Sequence, residues 1–338
     1  MRNLIIIGNG FDLAHDLKTA YYHFLSDIKE SSDKYEASSI RSNTNMLLEA
    51  FNYSEAGIWS DIESVYFDIL KNIKDKAYLQ NKYRYANRYN TSKELNEHFE
   101  DIKQCLHHYL QGEEKRFVRN ENYTNFFGSF SGKNTVIVNF NYTNTVKEYL
   151  SETNSDIELI QIHGELNNID NPIIFGYAAD DKESKDLLNE NDNNFVRNIK
   201  KFNYLFTKNE EILKKHLNSE EFNVFVLGHS CGISDNLILS QILNSKAIHK
   251  IYPFYYKDRD GYFNTMVNID RIIDDYSKEV NELKVFSKLV SFPNSHEMPQ
   301  LDYDEKLGVY LESILNSRLP KEHKRAGEKL ILDAASRR

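Results

Sequence analysis

The chain has 338 residues, 28% of them charged, with 42 Lys and Arg against 51 Asp and Glu, a length that fits roughly two domains or one large α/β domain with insertions. The formal net charge of −9 argues against nucleic-acid binding through a global positive field, though not against a local basic groove. No apolar run approaches the ~18 residues of a membrane span, and the only two cysteines, Cys105 and Cys231, supply no disulfide framework, so a cytoplasmic setting is expected.

The apolar run Leu4-Ile5-Ile6-Ile7 ends in Gly8-Asn9-Gly10-Phe11-Asp12, and Leu13, Leu17, Tyr21, Phe24, Leu25 and Ile28 follow at once with helical spacing. In order, these read as a strand, a tight glycine turn and a helix. Such a turn lets backbone N–H groups approach a phosphate at a helix N-terminus. The third glycine of the dinucleotide fingerprint is replaced by Leu13, so the segment also reads as a turn that binds nothing, with Asp12 as an N-cap.

Residues 31–130 read as a helical insertion or lid. Within it, Ser60 and Glu63 have capping-box spacing after Trp59. A helix is predicted from about Ser92 to Phe117, with Leu95, Phe99, Ile102, Leu106, Tyr109 and Leu110 along one face. The tract Lys76 to Arg88 is basic and rich in tyrosine, a solvated helix face or a patch that touches phosphates.

Buried-strand patterns follow at Thr135–Phe140, Ile157–Ile162, Pro172–Phe175, Asn223–Leu227 and Ile248–Phe254, with a further candidate at Lys284–Phe292. Helical patterns between many of them predict an α/β fold with a doubly wound, mostly parallel sheet. The core is assigned to residues 1–30 and 131–316. The acidic, asparagine-rich stretch Asp180–Asn194 is expected to be a mobile loop, and residues 317–338 a charged C-terminal helix or tail.

In an open parallel sheet, ligands gather beyond the carboxyl ends of the strands. There the sequence places Gly8 to Asp12, then Asn139-Phe140-Asn141-Tyr142-Thr143-Asn144, then His163-Gly164-Glu165, then Gly228-His229-Ser230-Cys231-Gly232 with Asp235 beyond. Each group alone can be a turn, a cap or a strand terminus. Four such groups at four strand ends predict one shared ligand site. Gly228-His229-Ser230-Cys231-Gly232 also fits the Gly-x-Ser-x-Gly pattern of a serine hydrolase, with His249 or His296 as base and Asp274 or Asp275 as acid. A metal-dependent nuclease is a weaker alternative, because no carboxylate cluster stands at a strand end.

On Ile6 to His15, Trp59 to Glu63, Asn139 to Thr143, Ile162 to Gly164 and Gly228 to Ser230, the chain resembles the AbiH family of bacterial abortive-infection proteins that act against bacteriophage. More distantly, the same order resembles sirtuin-like NAD-consuming domains, which implies a Rossmann-like core. That resemblance implies Asn141 as the residue positioning a ribose or water and His163 as the catalytic histidine. It implies Gly8 and Gly10 as the phosphate turn and Gly228, Ser230 and Asp235 as the late dinucleotide-binding turn, and Asn9, Phe11, Asp12, Thr143, Gly164 and His229 stand beside them as further candidate contacts to the ligand. The zinc module of sirtuins is absent because two cysteines cannot build a four-cysteine site, so NAD hydrolysis is expected rather than deacetylation, with no metal. A neutral histidine suits proton removal near pH 7. The alternative is a non-catalytic nucleotide sensor that triggers a partner or a homo-oligomer, and a phage-derived trigger is expected in either case.

Overall fold

In the computed structural model, strands β1 (Arg2–Ile7), β2 (Thr135–Asn139), β3 (Glu158–Gln161), β4 (Phe222–Leu227), β5 (Ile248–Tyr255) and β6 (His296–Glu297) form one sheet in the order β3-β2-β1-β4-β5-β6. Every ladder between them is parallel. The structure describes residues 1–53, 62–75, 91–130, 132–153, 156–178, 181–190, 192–218, 220–274 and 288–301.

Alternation along β1 sends its side chains to two faces, and both faces are buried. Leu4 and Ile6 join Val136, Val138, Val224 and Val226 under helices α11 (Asn209–Leu217), α12 (Asn236–Leu243) and α13 (Arg259–Asp274). Ile5 and Ile7 join Ile137, Phe225 and Leu227 under α7 (Glu121–Gly128) and α8 (Thr145–Thr153). This is the doubly wound α/β architecture expected from the strand pattern, an open Rossmann-like sheet.

A third core lies apart from the strands. It is built by α2 (Tyr21–Glu30), α3 (Ser38–Arg41), α4 (Met46–Tyr53), α5 (Ile62–Lys74) and α6 (Ser92–Glu114), with Phe175, Tyr177, Leu187, Phe195 and Ile199 completing it. The expected apolar face of α6 is buried from Leu95 to Leu110. Thr91 caps this helix, its Oγ1 accepting the Glu94 N–H at 3.1 Å.

Several expectations are corrected. The helix after the glycine turn is split into α1 (Asn9–Leu13) and α2, because Asp16 adopts a left-handed φ of 59° between them. Pro172–Phe175 is extended but joins no ladder; Ile174 N–H donates to the His163 carbonyl at 2.7 Å instead, and the proline lacks a ladder donor. The stretch Asp180–Asn194 is not a featureless loop. It holds helix α9 (Asp181–Leu188), and buried Leu187 and Phe195 anchor it. Of the last strand candidate, residues 284–287 lie outside the described residues and Leu289 makes only an isolated bridge to Ile251. The edge strand on the β5 side is β6. Trp59–Asp61, Lys76–Arg88 and 317–338 also lie outside the described residues. Among the described residues no helix is long and apolar enough to cross a membrane.

Candidate functional site

The sheet order reverses direction between β1 and β4, and the two glycine turns meet at that point. Gly8 N–H donates to the Leu227 carbonyl at 3.0 Å, Gly10 N–H to the Gly228 carbonyl at 2.8 Å, and Phe11 N–H to the Gly8 carbonyl at 2.9 Å. A Cβ on Gly10 would lie 2.8 Å from Gly228 Cα, and one on Gly228, whose φ is +64°, would lie 2.3 Å from Phe11 N. Glycine is required because two backbones cross in contact. The same bonds engage three N–H groups that a phosphate cradle would have used.

The loop after β2 is held by a chain of buried polar groups. Asn139 Nδ2 donates to Gln161 Oε1 at 2.6 Å, and Asn139 Oδ1 accepts the Asn141 N–H at 3.1 Å. Asn141 Nδ2 donates to the Gly8 carbonyl at 3.1 Å. Thr143 and Thr145 each donate a hydroxyl to Asp12, both at 2.7 Å. Asp12 is therefore a buried anchor rather than an N-cap. Burial raises its pKa to about 6, against the lowering effect of the two threonines.

A cavity of about 430 Å³ opens over the ends of β1, β2, β3 and β4, with His163, His229, Asp235, Lys200 and Glu63 in its wall. Lys200, from α10 (Lys200–Asn203), places Nζ 2.9 Å from Glu63 Oε2 and 3.3 Å from Asp235 Oδ1. Glu63 Oε1 accepts the Gly176 N–H at 3.0 Å. Burial opposes the charge on Lys200, but Glu63 and Asp235 outweigh it and hold the ammonium well above its ordinary pKa. Burial likewise opposes the charge on Asp235, and Lys200 foremost holds its carboxyl well below the usual carboxylate range.

The partners of the two histidines fix their tautomers. His163 is bonded to the Phe140 backbone carbonyl, while its Nε2 is solvent-excluded and has no hydrogen-bond partner. Nδ1 therefore carries the proton and Nε2 keeps its lone pair. That lone pair faces Asp235 Oδ1 at 3.4 Å, two acceptors with no donor between them. Burial, against the pull of Asp235, pushes the His163 pKa down to about 3, so the ring is neutral. His229 is the opposite case. Its Nδ1 accepts the Cys231 N–H at 2.9 Å, so Nε2 carries the proton, 3.5 Å from Asp235 Oδ2. The Phe140 ring lies edge-on to both imidazoles.

Of the residues singled out in the sequence, Gly8, Asn9, Gly10, Asp12, Asn141, Thr143, His163, Gly228, His229, Ser230 and Asp235 line this cavity. Phe11 and Gly164 do not. The Phe11 ring is buried in the core with Tyr123, Phe127 and Tyr149. Gly164 serves a turn with φ +77°, where a Cβ would overlap the Pro172 carbonyl. The sequence pattern misses Lys200 entirely and reads Glu63 as a cap. Asp235 directly precedes α12 but makes no side-chain cap there.

The serine-hydrolase constellation does not assemble among the described residues, and Asp275 lies outside them. His249 lies at the opposite end of the sheet from Ser230, about 20 Å along β5. His296 sits in β6, two strands away from β4. The left-handed φ values fall on Gly228 and Cys231, not on the serine. Among the described residues no three His, Cys, Asp or Glu side chains converge as a metal-ligand set.

No curated protein matches the chain. The family model described as bacteriophage abortive infection AbiH matches residues 4–256, a span that takes in most of β1, all of β2 to β5 and every residue named in the cavity wall, and the chain belongs to that family.

Proposed function

We propose that this protein serves abortive infection by cleaving the nicotinamide–ribose bond of NAD in the His163 cavity, so that an infected cell loses the cofactor. The reading rests on one observation: His163 is a buried imidazole whose Nε2 has no hydrogen-bond partner and lies 3.4 Å from the Asp235 carboxylate in the wall of a cavity. Membership of the AbiH family supports the role in phage defence.

The chemistry follows from the charges. Nicotinamide leaves with the electron pair of the N-glycosidic bond, and positive charge develops on the ribose. Lys200, Glu63 and Asp235 together carry one net negative charge, which favours that cation. A water attacks C1′ and loses its proton to His163 Nε2. The resulting imidazolium then stands beside ionised Asp235. The products are nicotinamide, ADP-ribose and one proton. Asn141, tied through Nδ2 to the Gly8 carbonyl, has its amide oxygen left to orient the water or a ribose hydroxyl.

The test is nicotinamide release from NAD by wild type and by His163→Ala, with matched thermal melting curves. General-base catalysis contributes about 100- to 10,000-fold, so the variant should lose activity on that scale. Equal rates in the two proteins would overturn the assignment of His163. Tight nucleotide binding without turnover would place the protein among nucleotide sensors.

A further inference from the structure

The Asp235 carboxylate is not held by its own turn. It makes no cap bond to α12, and among the described residues its side chain meets Lys200, His163 and His229. His163 turns a lone pair toward it and so holds nothing. Lys200 Nζ lies 3.3 Å from Oδ1 but nearer to Glu63, at 2.9 Å, and an ammonium is a point charge that fixes no direction. His229 is the remaining donor. Its protonated Nε2 stands 3.5 Å from Oδ2, while the other oxygen, Oδ1, faces His163. Such bonds are often long in a free site and tighten when substrate is bound.

The His229 ring is itself fixed from three directions. Nδ1 accepts the Cys231 N–H at 2.9 Å, from a residue whose φ of 53° is left-handed, a conformation uncommon outside glycine. The Phe140 ring lies edge-on, 4.4 Å away between centroids. On the third side is Gly8, where a Cβ would lie 2.7 Å from His229 Cα and 2.8 Å from its Cβ and Cδ2. The first glycine of the opening turn therefore makes room for this ring. With its side chain 5% exposed and both ring nitrogens engaged, His229 is built to hold a neighbour and not to grip a ligand.

We infer that His229 is a positioning residue: its Nε2–H pins Asp235 Oδ2, so that Oδ1 stands opposite His163 Nε2 when that nitrogen takes up a proton. The inference rests on the preceding reading for the reaction, but the place of the carboxylate can be seen without any reaction.

The experiment compares His229→Gln with His229→Asn in the full-length chain, by nicotinamide release and by a crystal structure of each. A glutamine amide N–H reaches about as far as Nε2, and an asparagine carbonyl about as far as Nδ1. Glutamine therefore keeps the donor to Asp235, and asparagine keeps only the acceptor for Cys231. The asparagine variant should lose kcat by up to about 100-fold at unchanged KM, and the glutamine variant should stay within about tenfold of wild type. In the crystals, Asp235 Oδ1 should leave His163 in the asparagine variant and stay beside it in the glutamine variant. Equal rates in the two variants, or a faster asparagine variant, overturn the inference. A rise in KM at constant kcat also overturns it, by making His229 a substrate contact. If His229→Asn does not fold, the glutamine structure decides: a carboxylate beside His163 upholds the inference, and one turned away overturns it. No nicotinamide release by wild type, with the carboxylate displaced by asparagine alone, keeps the positioning and overturns the reaction.

Discussion

Lys200 and Glu63 meet at 2.9 Å with both side chains almost wholly buried, and the pair ties the helical layer to the cleft at the strand ends. Glu63 stands on α5, within the layer that packs apart from the sheet. Removing one member of a buried ion pair leaves a charge without compensation, which costs about 3–5 kcal/mol. Lys200→Met leaves two carboxylates in that state, so its unfolding free energy in urea should fall by at least that range. The double variant Lys200→Met/Glu63→Gln should recover part of the loss. Equal stability of wild type and Lys200→Met would show that the pair carries no net energy.

The same cluster explains how much of the site was legible in the sequence. Asn141, His163 and His229 stand out because each follows directly on an apolar strand run, and a parallel sheet brings such positions to one edge. Lys200 has no comparable local mark. It begins a four-residue helix beside Lys201, and its partners lie on a distant helix and in the loop after β4. The sheet itself was readable: the edges of β1 to β5 fall within a residue or two of the apolar runs. The break at Asp16 was not, because a left-handed residue inside a periodic apolar pattern leaves the pattern intact. Pro172–Phe175 shows the reverse error, an apolar run buried by the helical layer and not by a ladder.

Gly228 is the position where the turn chemistry is most demanding. A Cβ there would lie 2.3 Å from Phe11 N and 2.6 Å from Gly10 C, on a backbone with φ +64°. The left-handed conformation alone costs a non-glycine residue about 1–2 kcal/mol, and the overlap is with backbone that cannot swing aside. Gly228→Ala should therefore destabilise the protein by more than that range. Gly232→Ala is the control, since the nearest atom to its Cβ is 3.5 Å away, and it should stay within about 0.5 kcal/mol of wild type. Denaturant midpoints that coincide for the two variants would refute the crossing as the cause.

Asp12 should leave a signature in the pH dependence of stability. Burial raises its folded pKa to about 6 from the ordinary carboxylate value of 3.8. The stability it contributes is therefore complete below about pH 4 and is lost as pH rises through about 6. Asp12→Asn keeps a polar partner for Thr143 and Thr145 and removes the ionisation. The stability of this variant relative to wild type should rise by about 2–2.5 kcal/mol between pH 4 and pH 7, most of the linkage value for a shift of that size. His15 and His163 act in the opposite sense. Burial lowers them to about 4 and about 3, so their stability is present above pH 6.5 and lost as pH falls toward those values. Comparing each single variant with wild type separates the terms, and a pH-independent difference for Asp12→Asn would show that Asp12 is not buried as a titrating acid.

Asp235 offers the sharpest test of the role proposed for His163, because it faces the nitrogen proposed to receive the proton. Asp235 Oδ1 lies 3.4 Å from Nε2, whereas an orienting carboxylate would bond the opposite nitrogen, here taken by Phe140. In the proposed reaction Asp235 therefore acts after proton transfer, by stabilising the imidazolium. Asp235→Ala removes that stabilisation but leaves the Nε2 lone pair open. Asp235→Asn does more harm: its amide N–H can donate to Nε2 and occupy the lone pair that must take the proton. Nicotinamide release should fall in both variants, and further in Asp235→Asn than in Asp235→Ala, by about tenfold, the cost of breaking one buried hydrogen bond of about 1.4 kcal/mol to free the base. The opposite ranking, with the asparagine variant the more active, would mean that Asp235 holds His163 in place and does not receive the charge.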